Sequence, residues 1–155
     1  MTKNEMILTA KNIFVNLIGV WNFSRTIKDY LNKTEISATG IVEFTSINLN
    51  KSLYKEEGSL WMNGKKISFT RKYYYCLEEG LIKIYFADGV NYGSLFHTLD
   101  INFKELPARA KGRHLCINDL YQGEFHFYHE NKFKNSFKIK GPHKNQLIDT
   151  VFERQ

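Results

Sequence analysis

From Gly19 to Ile27 apolar and polar side chains alternate, and Trp21, Phe23 and Ile27 share one parity with Arg25. Successive side chains of a strand point to opposite faces, so this segment predicts a strand with one face in a core. Upstream the period differs. Met6, Ile7, Ala10, Ile13, Phe14, Leu17 and Ile18 recur at helical spacing and form one apolar stripe. Thr2-Lys3-Asn4-Glu5 has the form of a capping box that would start this helix. The pattern predicts one domain over residues 1–155, with a helix over 1–18 and strands over 19–155.

Turn signals interrupt the period-two pattern about every ten residues. They are Asn32-Lys33, Asn48-Leu49-Asn50, Asn63-Gly64, Glu79-Gly80, Asp88-Gly89, Gln122-Gly123, Glu130-Asn131 and Gly141-Pro142. Asn63-Gly64 is the strongest, because a type I′ hairpin needs two left-handed residues in succession. Pro107 to Gly112 reads as a longer loop. About ten short strands lie between these signals. In one of them Phe133, Phe137 and Ile139 oppose Lys132, Lys134, Lys138 and Lys140, an apolar face against a solvated one. Such a meander predicts an all-β, antiparallel up-and-down barrel, since closure removes exposed strand edges.

Alternation also exposes ionisable groups on the apolar parity. Arg25 is the first. Glu56 shares its parity with Tyr54, Gly58, Leu60 and Met62, and Arg71 with Ile67, Phe69, Tyr73 and Tyr75. His97 falls with Leu95, Leu99, Ile101 and Phe103. Burying an unpaired charge costs several kcal/mol, so four such groups imply either an ion-pair network or a polar site inside the barrel. In the first case Glu56 bridges Arg25 and Arg71. In the second the two arginines hold an anionic group.

Composition narrows the classes. The chain has 155 residues, 43% hydrophobic and 15% aromatic, which suits a strand-rich globular core. The formal charge of +6 permits an anionic partner without requiring one. No apolar run approaches the roughly 20 residues of a membrane-spanning helix, and Lys3, Glu5 and Lys11 break any signal-peptide stretch. Cys76 and Cys116 have no metal-ligand spacing and read as free thiols in a reducing cytoplasm. No metal site or cofactor motif is present in the pattern, and no nucleic-acid or membrane partner is expected. The lysines of residues 132–140 alternate away from the aromatics that nucleic-acid binding would want beside them. Protein partners leave no signal.

A second cluster spans residues 113–125, where His114, Asp119 and Tyr121 suggest a hydrogen-bonded group at a hairpin mouth. A His with a carboxylate suggests acid–base chemistry, or a brace for the turn. Cys116 points the same way as His114, so a thiolate pair is a further option.

Gly19-x-Trp21 on the first strand and Arg154 near the end of the last resemble the signature of the calycins, in which an arginine packs across the tryptophan at one barrel end. A longer resemblance covers nearly the whole chain after the helix. Gly19-Trp21-Phe23-Arg25, Tyr54-Glu56-Gly58, Arg71-Tyr73, Phe86-Asp88-Gly89, Phe96-His97, His114-Cys116-Asp119-Tyr121-Gly123-Phe125 and Gly141-Pro142-Lys144 occur in order. This series is similar to that of an uncharacterised family of small domains of unknown function. The chain departs from it at Asn91 to Ser94, which is longer, and at Asn145, where the family tends to Asp. The resemblance implies a calycin-like, lipocalin-like barrel and no particular activity.

Three functions follow as expectations. The first is a ligand-binding barrel, with Arg25 and Arg71 on an anionic group and Glu56 orienting them. Tyr54, Tyr73, Tyr121 and His97 would complete its polar contacts, and Phe23, Phe44, Phe69 and Phe137 would line its apolar part. The second is a small cofactor-independent enzyme of isomerase, lyase or hydrolase type, with His97 or His114 moving a proton and Asp119 orienting the imidazole. The third is a haem-binding barrel with His97 as axial ligand. Trp21 and Arg154 are structural in all three.

Overall fold

The alternation after Gly19 becomes ten antiparallel strands in the computed structural model, which describes residues 9–116 and 118–155. A helix α1 (Ala10–Asn16) precedes β1 (Gly19–Asp29), β2 (Thr34–Asn48), β3 (Lys51–Met62), β4 (Lys65–Glu78) and β5 (Leu81–Phe86). Then come β6 (Leu95–Leu99), β7 (Ala108–Cys116), β8 (Asp119–His129), β9 (Lys132–Gly141) and β10 (Lys144–Arg154). The ladder order is β6-β5-β4-β3-β2-β1-β10-β9-β8-β7, so β1 and β10 pair at its centre and β6 and β7 are its two edges. These edges meet to give a nearly closed up-and-down barrel. Asn102, after β6, bridges to Arg109 of β7, its amide donating to the Arg109 carbonyl at 2.7 Å.

The hairpins follow from local chemistry. Asn63-Gly64 and Glu79-Gly80 both have positive φ at the two central residues, as a tight hairpin between right-twisted strands requires. Lys33 is left-handed in the β1–β2 turn. The described helix starts later than the Thr2–Glu5 box implies. Thr9 is its N-cap, with its hydroxyl accepting from the Asn12 amide at 3.1 Å, while Met6, Ile7 and residues 2–5 lie outside the described residues. Ile13, Phe14 and Leu17 of the stripe enter the core.

This helix stoppers one end of the barrel. The Trp21 indole donates to the Leu17 carbonyl at 2.9 Å, and its ring meets the edge of Phe133. The Arg154 guanidinium lies 4.2 Å from the Trp21 ring centroid and also donates to the carbonyls of Asn16, Ile18 and Glu130. It thereby satisfies carbonyls that the helix end leaves free. Gly19 has a φ of 130°, and a Cβ there would lie 2.9 Å from the Arg154 side chain. The glycine, tryptophan and arginine are one packing unit.

Four sequence expectations need correction. Pro107–Gly112 is not a loop, because β7 runs from Ala108, and Gln122-Gly123 is not a turn but the middle of β8. Gly112 and Gly123 are direct cross-strand partners inside the barrel wall. Leu95 is exposed rather than inward, because the β5–β6 register slips between Ile84↔His97 and Tyr85↔Leu95. This bulge at Phe96 turns both Phe96 and His97 into the core. Met62 and Ile67 keep the inward parity, yet they sit near the tip of the β3–β4 hairpin and are exposed.

Candidate functional site

Inside the barrel, away from α1, strand residues enclose a cavity of about 330 Å³, at the small end of the range for sites that take drug-sized molecules. Strands β1, β3, β4, β9 and β10 supply most of its wall. Arg25 comes from β1 and is held on every side. Its Nε donates to the Thr150 hydroxyl at 2.8 Å, and its two Nη atoms fork onto the Glu56 carboxylate at 2.9 and 2.6 Å. Phe23 stacks against it at 4.7 Å. Glu56 is 3% exposed and also accepts from the Tyr54 hydroxyl at 2.5 Å. Burial, helped by the Glu56 charge, keeps the Tyr54 phenol well above its ordinary range, so it remains a donor. Burial pulls the Arg25 pKa down, but the Glu56 hydrogen bonds and charge outweigh it and hold the guanidinium charged. The group is a closed, neutral polar node.

Arg71 behaves differently. It faces Glu56 in the β3–β4 register, yet its side chain turns to the rim and the expected Glu56 bridge between two arginines does not form. Its Nε donates to the Tyr73 hydroxyl at 3.2 Å and stands 3.8 Å from the Asp88 carboxylate, too far for a hydrogen bond. The guanidinium lies over the Tyr73 and Phe86 rings at 5.5 and 5.6 Å. Among the described residues its two terminal nitrogens hydrogen-bond to nothing, and the side chain is 47% exposed on the cavity wall. The interior therefore carries one spent arginine and one available one.

His97 is buried but does not line the cavity. Its ring sits against the Gly112↔Gly123 pair, where added Cβ atoms would lie 2.7 Å from Nδ1 and 3.1 Å from Nε2. Phe96 and Phe137 flank the ring at 4.1 and 5.3 Å. Among the described residues neither ring nitrogen has a hydrogen-bond partner. Burial, reinforced by the nearby His114, lowers its pKa to about 4, so the imidazole is neutral at pH 7. This is a side chain of the barrel seam, and an axial ligand must reach a space that His97 does not line.

The second predicted cluster separates. His114 faces Tyr121 across the β7–β8 ladder, with ring centroids 6.1 Å apart, and its own pKa is lowered by burial. Asp119 faces Cys116 instead and lies 3.9 Å from the Lys144 ammonium. No hydrogen bond joins Asp119 to His114 among the described residues, so the acid–base arrangement lacks its orienting carboxylate. Cys76 and Cys116 are free thiols. Among the described residues no group of three or more His, Cys, Asp or Glu side chains is placed to hold a metal ion. No described helix is long and apolar enough to cross a membrane.

Of the phenylalanines expected around a ligand, Phe69 and Phe137 line the cavity, while Phe23 and Phe44 pack beneath it. Tyr54, Tyr73 and Tyr121 line it as well. Two polar residues of the wall escaped the sequence reading. Thr150 lies between Ile148 and Phe152 on the inward parity of β10, and Asn135 between Phe133 and Phe137 on that of β9. The wrong-face test that finds Arg25 would have found both.

Solved structures share this architecture. Rv2717c from M. tuberculosis superposes with a TM-score of 0.68 at 11% identity, over 97% of this chain and 99% of that one. The S-type phycobiliprotein lyase CPES from Guillardia theta gives 0.60 at 9% identity, over 96% and 93%. EF1p2_mFAP2b, solved bound to DFHBI, gives 0.53 at 12% identity, over 95% and 100%. At such identities the likeness establishes the fold, a calycin-like β-barrel. No curated protein shows significant similarity to the chain. By sequence the chain belongs to the Family of unknown function (DUF6314), whose pattern matches residues 17–154.

Proposed function

We propose that the barrel binds a small organic anion with an apolar, largely aromatic body, and that Arg71 is the anion anchor. The observation that carries this reading is the pair of Arg71 terminal nitrogens that hydrogen-bond to nothing among the described residues, with the guanidinium held over Tyr73 and Phe86 at the wall of the cavity. Arg25 serves in a different way from that expected of a paired clamp. It is neutralised by Glu56, so it shapes and stiffens the wall and leaves the ligand's charge to Arg71. The binding of DFHBI by EF1p2_mFAP2b supports a barrel of this shape holding a small ligand. Free thiols fit a cytoplasmic setting.

Native mass spectrometry of the freshly purified protein tests this. An adduct lost on denaturation is expected, and the stripped protein should take up 1-naphthoate one to one. Arg71→Met, at a half-exposed position, should fold normally and weaken naphthoate roughly tenfold or more, the worth of a charge-assisted hydrogen bond. A wild-type protein that carries no adduct and takes up no naphthoate overturns the reading.

A further inference from the structure

The cavity wall divides into polar groups already used and polar groups still open. Arg25, Glu56, Tyr54 and Thr150 satisfy one another, and the Tyr73 hydroxyl accepts from Arg71. Asn135 is different. Its side chain lines the cavity, the residue is only 9% exposed, and among the described residues its carboxamide hydrogen-bonds to nothing. It occupies the same row as Arg25 and Thr150, next to Thr150 on one side and Phe125 on the other. Its amide opens onto the cavity, where a ligand that displaces solvent must either meet it or leave it unmet, a cost that a leucine of equal size would not carry.

Position makes the open amide informative. Between β4, which carries Arg71, and β9, which carries Asn135, stand four strands whichever way one goes round the nearly closed barrel. Arg71 and Asn135 thus face each other across the cavity, whose wall also carries the stacked Phe96 and Phe137 rings and the open hydroxyls of Tyr75 and Tyr121. A simple amphiphile with a charged head and a hydrocarbon tail would answer Arg71 and leave Asn135 unmet. A carboxamide offers one donor edge and one acceptor edge side by side, and a lactam or imide presents the complementary pair.

We infer that Asn135 is a second recognition point, and that the ligand carries a neutral lactam, imide or amide edge on the side of its ring system away from its anionic group. This inference rests on the anion-binding reading above and extends it. It assigns ligand class to two walls: β4 reads charge, β9 reads a cis N–H and C=O.

Two probes separate these roles, 1-naphthoate and quinolin-2-one-4-carboxylate. Both are bicyclic carboxylates, and only the second has a lactam, on the far side of the ring from its carboxylate. Isothermal titration of the wild-type protein should show the quinolinone binding about tenfold more tightly, as expected where a buried polar group gains or lacks its partner. Asn135→Leu should abolish that preference while leaving naphthoate affinity equal or higher, and Arg71→Met should weaken both probes alike. Naphthoate binding without any lactam preference in the wild type overturns the Asn135 inference alone, whether or not the variant folds. Equal weakening of both probes by Asn135→Leu overturns it too, by reducing the side chain to packing. Failure of both probes to bind the wild type overturns the anion reading and this inference together.

Discussion

Two glycine pairs in this barrel hold rings, and the rings differ. Gly40 and Gly58 are cross-strand partners on β2 and β3, where added Cβ atoms would come within 2.7 Å of the Phe23 and Phe69 rings. Gly112 and Gly123 are the equivalent pair on β7 and β8, and the ring laid against them is His97. Beside the first pair lies the Arg25 node, in which polar groups are paired off: Arg25 with Glu56 and Thr150, Tyr54 with Glu56. Beside the second, both ring nitrogens of His97 are buried without a hydrogen-bond partner among the described residues, and Asn135 opens onto the cavity. The same backbone device therefore serves two ends. One pair borders an internally satisfied node, while the other borders a buried imidazole left unpartnered among the described residues, at a cost in stability.

Breaking the satisfied node should have the largest effect. Arg25→Met leaves Glu56 buried and unpaired, so chemical denaturation should show a loss of about 3–5 kcal/mol. Adding Glu56→Gln should restore part of it. An Arg25→Met protein as stable as the wild type would show that the node contributes no structure.

The unpartnered His97 should reveal itself through pH. His97 has an ordinary pKa near 6.5 in the unfolded chain and about 4 in the folded one. The unfolded state thus binds more protons between these values, and stability falls as pH drops from about 6.5 to about 4, then levels. The full span is about 3 kcal/mol by the size of the shift. The His97→Leu variant should lack this component and be equal to or about 1 kcal/mol more stable than the wild type at pH 7, because two unmet nitrogens disappear. A wild-type pH profile superimposable on that of His97→Leu would show that the imidazole is solvated in both states.

The glycine pairs themselves should give the smallest contrast. Gly40→Ala places a Cβ 2.2 Å from the Glu57 carbonyl, which is backbone, whereas Gly112→Ala meets a side-chain ring able to shift. The first should cost roughly 1–2 kcal/mol more than the second in thermal unfolding. Equal losses would mean that the His97 ring is as immovable as the ladder.

Most of this architecture was legible because period two is a strong signal. The ten strands, the I′ turns and the inward turn of Arg25, Glu56 and His97 all come from parity. What parity could not show is where the count slips. The Phe96 bulge lies inside an apolar run, Leu95-Phe96, that reads equally well in either register. Gly112 and Gly123 read as a loop and a turn because a glycine signals a turn and a close approach with the same letter. The arginines were found together, but their separate fates depend on χ angles. Arg71 turns to the rim and Arg25 to Glu56, which no spacing encodes. Asn135 was legible and missed.

The pairing of β1 with β10 has a consequence for how the chain reaches this state. Every other ladder joins strands that follow one another in sequence, so each can zip from its own hairpin. The β1–β10 ladder must instead bring together residues such as Arg25 and Thr150, which are 125 apart. Closing that loop costs about 2 kcal/mol more than closing a ten-residue one. The search for the native state is accordingly a search for one encounter between two preformed meanders, β1–β6 and β7–β10. The Arg25 fork, which ties β1 to both β3 and β10, is the latch on that encounter.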